Sequence, residues 1–255
     1  MKRFWQLANI IALLSALTAN FLVGAQVLDV SSIGEVADVY ATYLSPAGYA
    51  FSIWSLIYVW LVAFVIYQAR DIVRSKDANT LPQEIGPWFV IASIANGLWT
   101  YVFVQELIGV SVLLLLLLTV SLYILLWRLK VAVVTPTLWT VVGVWWPLMI
   151  YAGWVTVASV VNIASWLDSL SLAPTALVAS VVLVGLMIVL LSLLMLRNMR
   201  EVILACVWGI VAIGARQWEV ASGNSVMVTA FGVAAVLLTA VAFHAYKAQK
   251  PLKVS

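Results

Sequence analysis

The sequence predicts an all-α protein, a polytopic bundle of membrane-spanning helices, from its composition, its apolar runs and its charge distribution. Hydrophobic residues make up 65% of the 255 positions and charged residues only 9%, which is too apolar for a surface in contact with water. A membrane span needs about 20 apolar residues. The apolar runs of that length lie at 5–27, 47–69, 86–105, 107–127, 138–163, 174–196, 202–221 and 225–246, which predicts eight spans.

Basic residues collect on one side of the predicted bundle. With eight spans, twelve of the thirteen Lys and Arg residues fall on the side that holds both termini, and Arg216 lies on the other. The twelve are Lys2, Arg3, Arg70, Arg74, Lys76, Arg128, Lys130, Arg197, Arg200, Lys247, Lys250 and Lys253. Because positive charge collects in cytoplasmic loops, this pattern predicts cytoplasmic N- and C-termini. The expected location is the bacterial inner (plasma) membrane. The charge pattern leaves no exposed basic face for nucleic acid, so no nucleic-acid partner is expected.

Residues 5–27 are expected to stay in the mature protein as the first helix, because the run is long and lacks a clear cleavage site of small residues. An external segment, 28–45, follows it. Within this segment Ser32 and Glu35 have the spacing of a capping box, and apolar residues then recur at helical intervals. This predicts a short amphipathic helix, which is either an interfacial anchor or a lid over a pocket that opens on the same side.

The second span is expected to begin near Pro46, whose missing N–H is tolerated in a first helical turn. Trp54 and Tyr58 lie one turn apart on one face, too deep in the span for an interfacial belt of aromatic residues. Trp60 is rotated away from them, and we expect it to contact a neighbouring helix or lipid.

The third span contains the sequence I-A-N-G-L-W-T-Y-V-F, in which Asn96, Trp99 and Phe103 recur at positions i, i+3 and i+7. These three residues therefore share one helical face. An amide in hydrocarbon is unfavourable unless it is hydrogen-bonded, so this face is predicted to point toward protein or ligand. The fourth span, with its core of leucines at Leu113–Leu118, is suited only to lipid contact or helix packing.

The fifth span carries Pro147, which should kink the helix or free a carbonyl, and Gly153, which permits close approach of another helix. Trp154 and Asn162 lie eight residues apart and fall on nearly one face. Each asparagine can simply bond a neighbouring helix, or it can line a pocket. Because three spans each supply an aromatic residue and two of them an amide, the pocket is the more informative hypothesis.

The last three spans, 174–246, show no repeat of the first five, so an inverted-repeat transporter is not supported. Arg216 lies one turn from Glu219 near the external end of the seventh span, either as a local ion pair or as an anchor for ligand carboxylates. Cys206 is interpreted as an apolar filler and His244 as an interfacial residue.

No enzyme motif is present: the sequence has no Gly-rich phosphate loop, no metal-binding cluster and no Ser-His-acid set. We therefore expect no catalytic residue, no metal and no cofactor, and at most photo-oxidative chemistry on a bound ligand. A small-solute transporter is the alternative function, although intramembrane carboxylates and broken helices are not evident. A purely structural or partner-binding membrane subunit is a third possibility.

These motifs resemble the tryptophan-rich sensory protein or translocator protein family (TspO/MBR), whose members have five spans. The family pattern looks like Pro before W-x-x-x-Y in the second helix, N-x-x-W-x-x-x-F in the third, and W-x7-N in a Pro-bearing fifth helix. The corresponding residues here are Pro46, Trp54, Tyr58, Asn96, Trp99, Phe103, Pro147, Trp154 and Asn162. The resemblance covers roughly residues 1–166 as a five-helix core, to which 167–255 add about three transmembrane helices and a short cytoplasmic tail.

The resemblance implies a membrane receptor with a sensory or regulatory role. It is expected to bind flat hydrophobic ligands, porphyrins (tetrapyrroles) or sterol-like molecules, in a pocket that opens toward the first external loop. Some family members are reported to bring about light- and oxygen-dependent breakdown of protoporphyrin. The expected ligand-binding residues are Trp54, Tyr58, Asn96, Trp99, Phe103, Trp154 and Asn162. The expected partners are this ligand and the lipid bilayer, and a homodimer is left open.

The chain departs from the family pattern in three places. It lacks the loop tryptophan before the second helix, and the proline of the fifth helix is displaced relative to Trp154. No tyrosine followed by a basic residue comes after Asn162. The sterol-recognition signature of some relatives, itself a weak pattern, is therefore absent.

Overall fold

The fold is a bundle of long antiparallel helices, seen in a computed structural model that describes residues 1–27, 30–72, 79–134, 136–220 and 222–249. The predicted cytoplasmic cations Arg74, Lys76, Lys250 and Lys253 lie outside these residues, as does Asp29 of the external segment. The helices are α1 Lys2–Gly24, α2 Ile33–Val39, α3 Ile53–Ala69, α4 Leu81–Ile85, α5 Trp88–Val104, α6 Ile108–Arg128, α7 Leu138–Thr140, α8 Trp146–Ser169, α9 Ala176–Arg197, α10 Arg200–Val220 and α11 Ser225–Gln249.

The helical, multi-pass membrane architecture predicted from the sequence is confirmed. Among the described residues, seven helical segments are long and apolar enough to cross a membrane by length and composition. The remaining predicted span corresponds to α5, an apolar helix of 17 residues, which is at the short end of the range that can span a bilayer, about 17–25 residues. The chain is therefore an integral multi-pass membrane protein.

Contacts between helix ends show that the chain passes back and forth between two ends of the bundle. At one end Lys2 pairs with Asp71, and the guanidinium of Arg197 lies over the ring of Trp127. We name this the basic end, because the described cations Lys2, Arg3, Arg70, Arg128, Lys130, Arg197, Arg200 and Lys247 lie on it. The opposite, acidic end carries Asp38, Glu106, Asp168 and Glu219. That the basic end faces the cytoplasm stays a prediction.

Helix α10 packs between α8 and α11, and α9 packs mainly against α11. The contact between α10 and α8 is close because Gly153 has no side chain. A Cβ at Gly153 would overlap the backbone carbonyl of Val202 and crowd the side chain of Ala205. The sequence prediction that Gly153 permits close helix approach is confirmed.

Irregular turns begin the second and fifth predicted spans. A 3₁₀ turn, Gly48–Ser52, precedes α3, and a π-helical turn, Val141–Trp145, joins α7 to α8. Pro147 lies in the first turn of α8, directly after the π turn. A proline removes one backbone hydrogen bond, and such a turn accommodates the freed carbonyl. The predicted irregularity at Pro147 therefore takes the form of this wider turn.

Candidate functional site

A cavity lies at the acidic end of the bundle, enclosed by α2, α3, α5 and α8 and by the chain that leads into α3. The walls come from the three spans that the sequence singled out. The lining residues are Ile33, Ala37, Pro46, Phe51, Trp54, Trp99, Phe103, Trp154, Val157, Ala158, Val161, Asn162 and Ser165.

Aromatic rings form most of the cavity wall, and Trp54 stands at their centre. Its ring centroid lies 6.1 Å from that of Trp99 and 6.2 Å from that of Trp154, with interplanar angles of 32° and 86°. Phe103 stacks on Trp99 at 5.4 Å, and Phe51 meets Trp154 edge-on at 6.3 Å. These centroid distances are in the range in which aromatic pairs attract one another. Three helices thus present indole faces to one space.

Asn162 lines the cavity but is already hydrogen-bonded within the protein. Its Oδ1 accepts from Trp99 Nε1 at 2.8 Å, and its Nδ2 donates to Ser111 Oγ at 2.9 Å. The amide therefore joins α8 to α5 and α6. Asn162 therefore does both things that the sequence allowed: it bonds neighbouring helices, and it lines the cavity.

Asn96 and Tyr58 do not belong to the cavity lining. Asn96 Oδ1 accepts from Asn20 Nδ2 at 2.8 Å, which joins α5 to α1. Tyr58 stacks on Trp54 at 5.3 Å, and its hydroxyl lies near the Asn96 amide without a hydrogen bond of ordinary geometry. Both residues are thus placed behind the aromatic wall, where they support it.

The α8 face of the cavity contains residues that the sequence reasoning missed. Trp154 and Asn162 were expected there, and four neighbours complete the same stripe: Val157, Ala158, Val161 and Ser165. Spacings of three and four residues from Trp154 onward mark one helical face. Extending that spacing along the fifth span would have found them. Phe51, three residues before Trp54, carries the same signal in the second span.

The indole N–H of Trp154 is a buried donor that has no hydrogen-bond partner among the described residues. Trp154 is only 2% exposed and lines the cavity. Buried donors are nearly always paired in folded proteins, and an unpaired one is unfavourable by about 1–3 kcal/mol. An acceptor group on a molecule in the cavity would satisfy it.

Helix α2 covers the acidic end of the cavity with Ile33 and Ala37. The predicted capping box is confirmed: Ser32 Oγ accepts from the N–H of Glu35 at 3.2 Å, and Glu35 Oε2 accepts from the N–H of Ser32 at 2.7 Å. The Ser32 backbone and hydroxyl hold the pKa of the Glu35 carboxyl below its ordinary value. The position of α2 over the cavity is the one expected for a lid, and whether the helix also anchors at the interface stays a prediction.

Polar contacts to α8, to α10 and to the turn between α5 and α6 fasten α2 over the cavity. The hydroxyl of Tyr40 donates to Glu106 Oε2 at 2.9 Å, and Ser165 Oγ donates to the carbonyl of Tyr40 at 3.1 Å. Glu106 raises the pKa of the Tyr40 hydroxyl through this bond. Arg216 on α10 donates to Asp38 Oδ1 at 2.7 Å. The local pairing of Arg216 with Glu219 considered from the sequence is therefore wrong, because its partner is on α2.

Comparison with protein families agrees with this architecture. The family model described as TSPO-like protein matches residues 6–243. The chain belongs to the TSPO-like family. The match runs through α9 and α10 and most of α11, beyond the part that carries the motif resemblance. No significant match was found among curated proteins or among solved structures.

The cavity of this TSPO-like protein is nearly filled by its own aromatic side chains. Its volume is about 40 Å³, which holds a few water molecules, whereas sites for drug-sized ligands span roughly 300–1,000 Å³. The cavity as it stands is therefore too small for a ligand of that size. A flat ligand would enter only after α2 moves outward or the indole rings turn.

The chemistry that this TSPO-like protein offers at the cavity is limited to stacking and neutral hydrogen bonds. The lining side chains are apolar, indole, amide or hydroxyl groups, and none of them titrates near neutrality. Within the described ranges, no group of three or more His, Cys, Asp or Glu side chains is arranged to hold a metal ion.

Proposed function

We propose that this TSPO-like protein binds a flat hydrophobic molecule of the porphyrin or sterol class in the cavity under α2. The observation that carries the proposal is the convergence of Trp54, Trp99 and Trp154, from three different helices, on one enclosed space. A sensory or regulatory role would follow from coupling between an occupied cavity and the position of α2.

Indole rings suit a flat, apolar ligand because they supply a large contact area and an orientable electrostatic quadrupole. The unpaired N–H of Trp154 adds one directional hydrogen bond. Ligand sites are commonly apolar with a small number of placed polar groups, and this cavity has that composition.

Binding requires the cavity to grow from its closed volume, and α2 is the element best placed to move. It is a helix of seven residues at the acidic end of the bundle. Its ties to the bundle include the contacts of Tyr40 with Glu106 and Ser165 and of Asp38 with Arg216. Contacts near the surface are individually weak, so binding energy from stacking can offset their loss.

The proposed function does not include acid–base catalysis, because no lining group titrates near neutrality and a general acid or base must lie within hydrogen-bond reach of its substrate. Any chemistry on a bound porphyrin would be photo-oxidative, with tryptophan accepting energy or transferring an electron to the excited ligand.

The test is titration of the purified protein with protoporphyrin, followed by quenching of the ligand's own fluorescence because the variants differ in tryptophan content. A variant with Trp54→Ala, Trp99→Ala and Trp154→Ala is compared with a control variant that carries Trp127→Ala, Trp139→Ala and Trp218→Ala. The control removes three exposed indoles and should bind with the wild-type affinity, as judged by quenching of the ligand's own fluorescence.

Equal affinity of the wild type and the folded cavity variant would refute the proposal, provided that circular dichroism shows both to be helical. Ligand-independent movement of a small solute by the protein in liposomes would instead support the transporter alternative.

A further inference from the structure

A second concave surface lies between α9 and α11, on the opposite side of α10 from the aromatic cavity. It is a groove of about 710 Å³ that runs toward the basic end. Its walls are apolar along most of their length, and charged or ring nitrogens occur only at that end. The groove is lined by Leu191, Leu194, Met195, Ala235, Val236, Thr239, Ala240, Phe243, His244 and Lys247.

The apolar part of the groove matches the depth of one membrane leaflet. From Ala235 to Lys247 the α11 wall is thirteen residues long, and the twelve steps between them correspond to a rise of about 18 Å at 1.5 Å per residue. Half of a hydrocarbon core of about 30 Å is about 15 Å. Met195, Val236 and Phe243 are exposed along this path. The length of the groove therefore corresponds to about the thickness of one leaflet.

Two cationic side chains lie at the basic end of the groove: Lys247 lines it, and Arg200 contacts the lining residue His244. Arg200 donates from Nε to His244 Nδ1 at 3.2 Å and from Nη2 to the His244 carbonyl at 3.4 Å. The Lys247 ammonium lies 4.5 Å from the centroid of the Phe243 ring. In the part of the chain that the structure describes, neither Arg200 nor Lys247 forms an ion pair with a carboxylate.

We propose that this groove binds an anionic phospholipid, with one acyl chain along α9 and α11 and the phosphate between Lys247 and Arg200. The apolar wall would not contribute to the binding of a free phosphate. The cations would not favour a lipid without net charge. A second copy of the chain fits poorly, because a symmetric contact through this groove would bring two sets of cations together.

The experiment measures lipid binding to the full-length protein by native mass spectrometry, with phosphatidylglycerol and phosphatidylcholine of identical acyl chains and with glycerol phosphate as the free headgroup. Phosphatidylglycerol should be retained preferentially. Lys247→Gln should reduce that preference about fivefold, since one basic residue near an anionic membrane surface contributes on the order of that factor. Lys130→Gln, an exposed lysine at the same end, is the charge-matched control.

A second variant tests the apolar wall independently of charge. Ala235→Phe fills the groove from its exposed side, whereas Leu238→Phe places the same ring on an exposed face of α11 outside the groove. The first should lower retention of both lipids and the second should leave it unchanged.

Four outcomes would overturn the proposal. Equal retention of the two lipids would remove the role of charge, and an equal effect of Lys130→Gln and Lys247→Gln would indicate general surface attraction. Competition by glycerol phosphate at lipid-like concentrations would indicate a site for a free anion. A dimer lost in Ala235→Phe would assign the groove to a second copy of the chain.

Discussion

Trp99 Nε1 lies 2.8 Å from Asn162 Oδ1, and this hydrogen bond joins α5 to α8 beside the cavity. Both residues are 4% exposed. A bond made away from water restrains the indole ring, because breaking it leaves a buried donor and a buried acceptor without water to replace them. The position of Trp99 in the aromatic wall is therefore determined by an amide on another helix.

Replacement of Trp99 by Phe can distinguish the contribution of stacking to porphyrin binding from the contribution of the indole to electron or energy transfer. Trp99→Phe keeps an aromatic face but removes the N–H, so we expect porphyrin binding to weaken by about 0.5–1.5 kcal/mol and light-dependent loss of bound porphyrin to slow. Absorbance of the porphyrin under constant illumination measures the second effect. Trp218→Phe, on an exposed site, should change neither quantity. Photobleaching at the wild-type rate in Trp99→Phe would exclude this indole from the chemistry.

Asn96→Leu should destabilise the protein without directly altering the cavity. The sequence suggested that this amide would contact a ligand, but it bonds Asn20 on α1 instead. Loss of one hydrogen bond between membrane helices is expected to lower the free energy of unfolding by ~0.6–1.7 kcal/mol, measured by denaturation in mild detergent. Porphyrin affinity should stay within twofold of wild type. A large loss of affinity with unchanged stability would place Asn96 in contact with the ligand.

The ion pair between Asp38 and Arg216 should slow ligand entry. Asp38→Asn weakens a partly exposed pair, in which Asp38 is 64% and Arg216 25% exposed; such pairs contribute up to about 1 kcal/mol. We expect the association rate of porphyrin to rise by up to about fivefold in stopped-flow fluorescence, and high salt to produce the same change in wild type. Glu219→Gln removes an exposed carboxylate near Arg216 and should leave the rate unchanged.

Gly153 should tolerate no side chain, because α10 occupies the space that a Cβ would need. In Gly153→Ala the methyl group would meet the Val202 carbonyl, and overpacking of this kind is unfavourable by about 1–3 kcal/mol. Gly232→Ala on α11 is the matched control, since no atom lies within 4 Å of a Cβ built there. Thermal unfolding should show a lower melting temperature for Gly153→Ala than for Gly232→Ala. Similar melting temperatures would mean that α8 and α10 can move apart.

Much of the fold follows from signals that are local in sequence. Apolar runs predicted the spans, and the spacing of Ser32 and Glu35 predicted the cap of α2. Helical periodicity placed Trp54, Trp99 and Trp154 on inward faces. Each of these depends on residues within a few helical turns of one another, where the geometry of the helix determines which side chains face the same way.

The partners of the polar side chains were not predictable in the same manner. Asn96 and Asn162 could each be placed on an inward face, but which helix presents the complementary atom depends on the packing of the whole bundle. Asn20 is 76 residues from Asn96 in sequence, and Trp99 is 63 residues from Asn162. The closed cavity also escapes sequence reasoning, because it depends on how tightly the indoles contact one another.

The sequence separation of Asp38 and Arg216 has a consequence for biosynthesis. Arg216 is added to the chain 178 residues after Asp38, an interval of roughly 9–36 s at about 5–20 residues per second. Glu106 and Ser165, which also fasten α2, are synthesised earlier in this interval. Every residue that lines the aromatic cavity is therefore synthesised before Arg216, which completes the last of these ties to α2.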